Sequence, residues 1–180
     1  MKNAIQILCV VITLSACTLK AGSPAESFNS TASKNKALAL AFYEKVVNAH
    51  NVAMIDSFMA ENYIEHEYDT HFAGNKKGVK KAFQHYFEAI PDMHTKVNFI
   101  MAEGDLVTVN ITTSGTNTGP IYGRPATNRK FEINGADIIR FKNGKAVEHW
   151  GYQEEGKMLN QLGLLKGLMK EEKNQAANTK

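Results

Sequence analysis

Cysteine is nearly missing from this 180-residue chain, which contains only Cys9 and Cys17. Cys9 lies inside an apolar N-terminal run expected to be removed, so the folded part has no disulfide, no thiolate nucleophile and no cysteine-rich zinc site. Long hydrophobic runs are missing too. Ala4 to Leu14, roughly 11 residues, falls well short of the about 20 that a spanning helix needs. Charge of one sign is not concentrated anywhere. The net charge is +3, and apart from Lys76-Lys77 with Lys80-Lys81 the basic residues are scattered. Without a basic stripe interleaved with aromatics, no nucleic-acid partner is expected. No internal repeat occurs. The loop from Thr116 to Asn128 contains two glycines, Gly119 and Gly123, but no Gly-rich lead into a helix and no Lys-Ser/Thr pair, so it is expected to be a pocket rim rather than a phosphate cradle. Nothing marks a nicotinamide, flavin or haem site, and no cofactor is expected. His66-Glu67 and His71 suggest zinc at first sight. Their separation of five does not match the i, i+4 pair that projects from one helix face, so no metal is expected.

What is present begins with a targeting segment. Lys2 precedes the apolar run, and Ser15 and Ala16 lead to Cys17. Leu14-Ser15-Ala16-Cys17 resembles the lipobox of bacterial lipoproteins, which implies removal of residues 1–16 and lipidation of Cys17. An ordinary secretory leader with an incidental cysteine is the alternative. Several acyl chains would hold the protein stably at a membrane, where one chain binds only marginally. Thr18 rather than an aspartate after the cysteine points to the periplasmic face of the outer membrane. Residues 17–33, rich in Ser, Ala and Asn, are expected to be a flexible tether. The domain proper should cover 34–170, and the polar 171–180 should be a frayed tail.

Within the domain, helices come first and strands follow. Ser33 can cap a helix reaching about Ala49, with Leu38, Phe42 and Val46 as its buried stripe. A short helix near Val52–Met59 and a short strand near Tyr63–Glu67 come next. Gly78 opens a third helix, whose Val79, Phe83, Tyr86 and Ile90 share one side, and Pro91 ends it. Strands are expected near Thr95–Ala102, Leu106–Thr116, Lys130–Phe141 and Ala146–Gln153, then a helix over Glu155–Leu162. Helices segregated on one face of an antiparallel sheet define an α+β class.

One residue breaks the apolar pattern. Phe131, Ile133, Gly135, Asp137, Ile139 and Phe141 share the parity of one strand face. A carboxylate on such a face requires a partner, a wet cavity or a raised pKa. A three-residue Lys142-Asn143-Gly144 loop would set Ile139 opposite Val147 and Asp137 opposite His149. The pair is then either an acid–base dyad facing a pocket or a structural bond that holds two strands in register. Arg140 and Glu148 fall on the other face as a salt pair. Trp150 and Tyr152 join them there, as a buried partner surface or as packing against a helix.

Several ordered pieces along the chain resemble the SnoaL-like polyketide cyclases of the NTF2-like superfamily. They are Tyr63-Ile64-Glu65-His66, Pro91-Asp92, Ala102-Glu103-Gly104-Asp105 and Gly115-Thr116-Asn117-Thr118-Gly119. Further on come Gly123-Arg124-Pro125-Ala126-Thr127, Asp137-Ile138-Ile139-Arg140, Asn143-Gly144-Lys145, Glu148-His149-Trp150 and Gln161-Leu162-Gly163. The resemblance, over about residues 35–165, implies a cone-shaped α+β barrel in which a curved antiparallel sheet wraps N-terminal helices. It also implies a deep pocket and a homodimer formed through the sheet. In the cyclases an aspartate base closes a ring by aldol chemistry. That position falls on Gly151 here, and a nearby family histidine falls on Asp137.

The sequence therefore supports a SnoaL-like lipoprotein, of ester cyclase or polyketide cyclase type, with a pocket for a small apolar carbonyl compound. Asp137 and His149 would transfer protons, in cyclase, isomerase or hydrolase chemistry. His66, Tyr63 and Gly151 would line the substrate site. The alternatives are a non-catalytic module that binds a ligand or partner, and a structural dimer with a vestigial pocket.

Overall fold

The strict alternation between Phe131 and Phe141 becomes one face of a long strand, and this strand organises the molecule. The computed structural model describes residues 24–67 and 71–165. Cys17, the leader and the expected tail lie outside the described residues.

Helix α1 runs over Pro24–Phe42 and passes into a π-helical turn at Tyr43–Val47. Ser33, expected to cap this helix, lies in its interior, and residues 24–33 of the expected tether are helical. No glycine or proline interrupts Ala25 to Phe42, so nothing stops the helix before Pro24, whose fixed φ suits a first helical position. A 3₁₀ turn at Val52–Met54 leads into α2, Ile55–Phe58. Strand β1, Met59–Glu65, starts four residues before the expected Tyr63. Helix α3, Lys76–Ala89, is capped by Asn75, whose side chain accepts from the Gly78 N–H at 3.0 Å. It ends before Pro91. Then come β2 (His94–Glu103), β3 (Leu106–Thr116), β4 (Lys130–Lys142), β5 (Lys145–Gln153) and α4 (Glu155–Leu162). Gly163, at φ 76°, closes α4 in the left-handed region that glycine tolerates.

The strands form a single curved sheet in the order β1-β5-β4-β3-β2. The four long strands are antiparallel neighbours, while β1 joins β5 in parallel. The sheet is open: β1 and β2 are its two edges. Ala39, Tyr43, Val46 and Val47 pack against Val107, Val109, Ile139 and Phe141 to form the main core. A smaller cluster joins Ile90, Ile121, Phe131, Ile133, Met158 and Leu162. Of the expected α1 stripe, Val46 is fully buried, but Leu38 and Phe42 are only half-buried. Both pack against the core and also line a cavity.

The β4–β5 hairpin corrects the expected register. Asn143 and Gly144 have φ of 51° and 74°, the positive pair of a two-residue turn whose twist matches the flanking strands. Lys142 faces Lys145. A bulge then makes Val147 an extra residue, so that Arg140 faces Glu148, Ile139 faces His149 and Asp137 faces Gly151. A two-residue turn alone would have mixed the apolar and charged faces. The bulge shifts the parity by one and returns Asp137 and His149 to the same face, as diagonal neighbours.

Candidate active site

Between the helices and the concave sheet face lies a cavity of about 890 Å³. That is within the range of small-molecule sites, about 300–1,000 Å³. Phe42, Phe58, Phe83, Ile111 and Ile139 supply much of its apolar wall. Asp137, Glu65, Glu67 and His149 bring charge to it.

His149 is the centre of the charged cluster. Its Nδ1 lies 2.7 Å from Glu65 Oε1 and its Nε2 lies 3.3 Å from Asp137 Oδ1. Burial opposes charge on the ring. Hydrogen bonds and negative charge from Asp137 and Glu65 outweigh burial and raise its pKa to about 10. At neutral pH it is an imidazolium held between two carboxylates.

Each of those carboxylates is occupied by other donors. Asp137, itself 8% exposed, accepts from the Tyr43 hydroxyl at Oδ2 and from Gln153 Nε2 at 3.1 Å. Glu65 accepts from the Tyr63 hydroxyl at 2.9 Å and from the Glu67 N–H at 3.0 Å. Burial, followed by the neighbouring carboxylates, raises both tyrosines above the usual phenol range, so both remain donors.

Two inward glycines make room for this cluster. A Cβ at Gly135 would meet Gln153 Oε1 at 1.9 Å, and one at Gly151 would meet Glu67 Oε2 at 2.6 Å. The space left by each glycine is taken by a polar side chain from a neighbouring segment. Glu67 as a whole residue is exposed, yet its carboxylate turns inward against Gly151. Desolvation of that carboxylate is the main effect on it. The His149 cation pulls the other way, and Glu65, Asp137 and Glu155 push in the same direction as desolvation. Together these effects raise Glu67 to about 7.

Among the sequence-predicted residues, the structure brings together Asp137, His149, Tyr63 and Gly151. His66 is a correction. It lies on the outer sheet face because Glu65 and His149 pair in register and the next residues, His66 and Trp150, alternate outward. There the His66 ring stacks on Trp150 at 4.6 Å and approaches Glu148 at 3.7 Å. Glu65, Glu67, Tyr43 and Gln153 were not anticipated. The two glutamates were detectable, because a buried Tyr63 puts Glu65 and Glu67 on its own face by period-two alternation. Tyr43 was not, since its partner Asp137 lies on another element, 94 positions along the chain. One donor atom each from Glu65, Glu67 and His149 lie within 4.8 Å of one another. Both ring nitrogens of His149 are already held, by Glu65 and by Asp137, so the imidazole has no lone pair left for a metal and the trio is a charge cluster rather than an open ligand set.

An open α+β cone thus encloses an apolar cavity with an acid–imidazole cluster on its wall. Residues 37–162 match the model of the SnoaL-like polyketide cyclase family, and the chain belongs to that family. No match is found among curated proteins. Several solved structures are similar. AclR from Streptomyces galilaeus is 27% identical with a TM-score of 0.66, over 74% of this chain and 87% of that one. IdmH from Streptomyces antibioticus is 26% identical with a TM-score of 0.63, over 72% of this chain and 98% of that one. TsrD from Streptomyces laurentii, at 24% identity and a TM-score of 0.63, covers 76% of this chain and 97% of its own, and shares the fold.

Proposed function

We propose that this SnoaL-like protein is an enzyme that transfers protons to and from a small apolar carbonyl compound, driving an intramolecular cyclisation or isomerisation. One observation carries this reading: a desolvated cluster of carboxylates around an imidazolium forms part of the wall of an otherwise apolar cavity. Removal of an α-proton moves the C–H electron pair into a carbon–carbon double bond and places negative charge on the carbonyl oxygen. The fixed His149 cation lowers the energy of that charge in a site of low dielectric. The enolate carbon then attacks a second carbonyl of the same molecule, and the new alkoxide takes up the proton.

The test does not need the native substrate. Small apolar ketones and β-keto esters are incubated in deuterium oxide and the loss of the α-proton signal is followed by NMR. Exchange above the buffer rate that falls in Asp137→Asn and His149→Ala supports the reading. Compounds that bind in the cavity without any exchange refute it.

The same proposal includes a location and a partner. Lipid on Cys17 would hold the domain at the cell envelope, on the periplasmic face of the outer membrane. Cys17→Ser should then move the protein into the soluble fraction. A second copy would cover the outer sheet face, where Phe99 and Met101 on β2 and Tyr152 on β5 are 54%, 58% and 62% exposed. Tyr152→Asp should convert a dimer to a monomer in sedimentation.

A further inference from the structure

We infer that the Glu67 carboxylate, lodged beside Gly151, is the group that accepts the proton from carbon, and that the compound bound here is a carbon acid presented to that wall. The inference rests on the proton-transfer reading above and assigns its acceptor.

The argument is one of elimination by geometry. Asp137 accepts from Tyr43, Gln153 and His149, and Glu65 accepts from Tyr63, His149 and a backbone N–H. A proton arriving at either would have to displace a donor from a buried network. His149 is already protonated near neutrality and has no lone pair to offer. Glu67 is different. Its carboxylate lines the cavity and has no hydrogen-bond partner among the described residues. Its Oε2 is 2.6 Å from where a Cβ at 151 would stand, so only a glycine there leaves this position open.

The charged groups facing Glu67 are Glu65 from β1, Asp137 from β4, His149 from β5 and Glu155 from α4. Desolvation raises it to about 7, with the three acids adding to the rise and the imidazolium restraining it. A carboxyl group with that affinity is partly ionised at neutral pH and binds a proton more tightly than an ordinary glutamate, as a general base requires. The adjacent His149 cation stays in place to stabilise the anion left on the substrate.

The probe is 5-nitrobenzisoxazole, a small apolar carbon acid. When a carboxylate takes its C3 proton, the C–H electron pair enters the forming nitrile and the N–O bond breaks. The product is a coloured cyanonitrophenolate. Probe binding is measured first, by quenching of protein fluorescence. The full-length protein should bind the probe and open it at a rate that rises with pH through about 7. Glu67→Gln should bind it equally well but lose about 10²-fold or more in rate, along with the pH rise. Adding Gly151→Asp to Glu67→Ala, which empties the space that a Cβ at 151 would enter, should restore part of the rate by returning a carboxylate there.

Unchanged rate and pH dependence in Glu67→Gln would overturn the assignment, as would a bound probe opened no faster than in buffer. A Glu67 13Cδ resonance that titrates near the ordinary 4.5 would overturn it without any variant. Failure of the probe to bind would instead remove the apolar-pocket reading on which the assignment stands.

Discussion

His149 and His66 sit almost back to back, one inside the sheet and one outside, and the same residue type behaves differently in the two places. Each has a glutamate nearby: Glu65 at 2.7 Å for His149, and Glu148 at 3.7 Å for His66. The inner ring is held at both nitrogens, with its side chain 15% exposed, while the outer ring lies flat on Trp150 with 36% exposed. Around the outer ring, Arg140 bonds Glu148 at 2.7 Å and Asp105 at 3.1 Å in an open, solvated network. The difference is not composition but sidedness. A charge pair surrounded by water is screened, whereas one walled by hydrocarbon is strong when complete and costly when broken.

The sharpest way to break this contrast is His149→Ala. Removing the cation leaves Glu65, Glu67 and Asp137 facing one another, and we expect a loss of about 3–5 kcal/mol in urea unfolding at pH 7. A denaturation midpoint equal to wild type would show that the inner cluster is as solvated as the outer one. Tyr43→Phe should cost less, about 1–3 kcal/mol, because it leaves one Asp137 oxygen short of a buried donor.

Two pH effects arise within the inner cluster. His149 is raised in the folded state to about 10 from 6.5. Its stabilisation is therefore complete below pH 6.5 and lost as pH rises towards 10, and His149→Ala should lack that alkaline decline. Glu67 is raised to about 7 from 4.5, so its ionisation weakens the fold between those values. Glu67→Gln should melt higher than wild type at pH 8 and equally at pH 4, as measured by calorimetry. The smallest effect is expected outside. Arg140→Ala should leave the unfolding midpoint nearly unchanged, and added salt should erase what difference remains.

Much of the fold was legible because its signals are local. Leu106–Thr116 and Glu155–Leu162 match the expected elements residue for residue, since alternation and a Gly163 stop are unambiguous there. Asp137 stood out because a carboxylate interrupted an apolar face. The register did not follow as readily. The Asn143-Gly144 turn and the bulge at Val147 each reverse parity, and two reversals give the same faces as none. The expected pair thus fell on the right face through the wrong loop. His66 went astray for a simpler reason: it stands three positions from the buried Tyr63, so period-two alternation puts the two on opposite faces.

From the order of residues alone came the α+β class and the inward Asp137, written in the periodicity of single elements, and the resemblance carried by its motifs added the family and the vacancy at Gly151. What fills that vacancy was decided in three dimensions. Glu67 reaches Gly151 only once β1 has docked on β5, and Tyr43 reaches Asp137 only once its helix has packed on the sheet. Such meetings depend on long-range pairing and on desolvation, and neither is a property of a neighbouring residue in the chain.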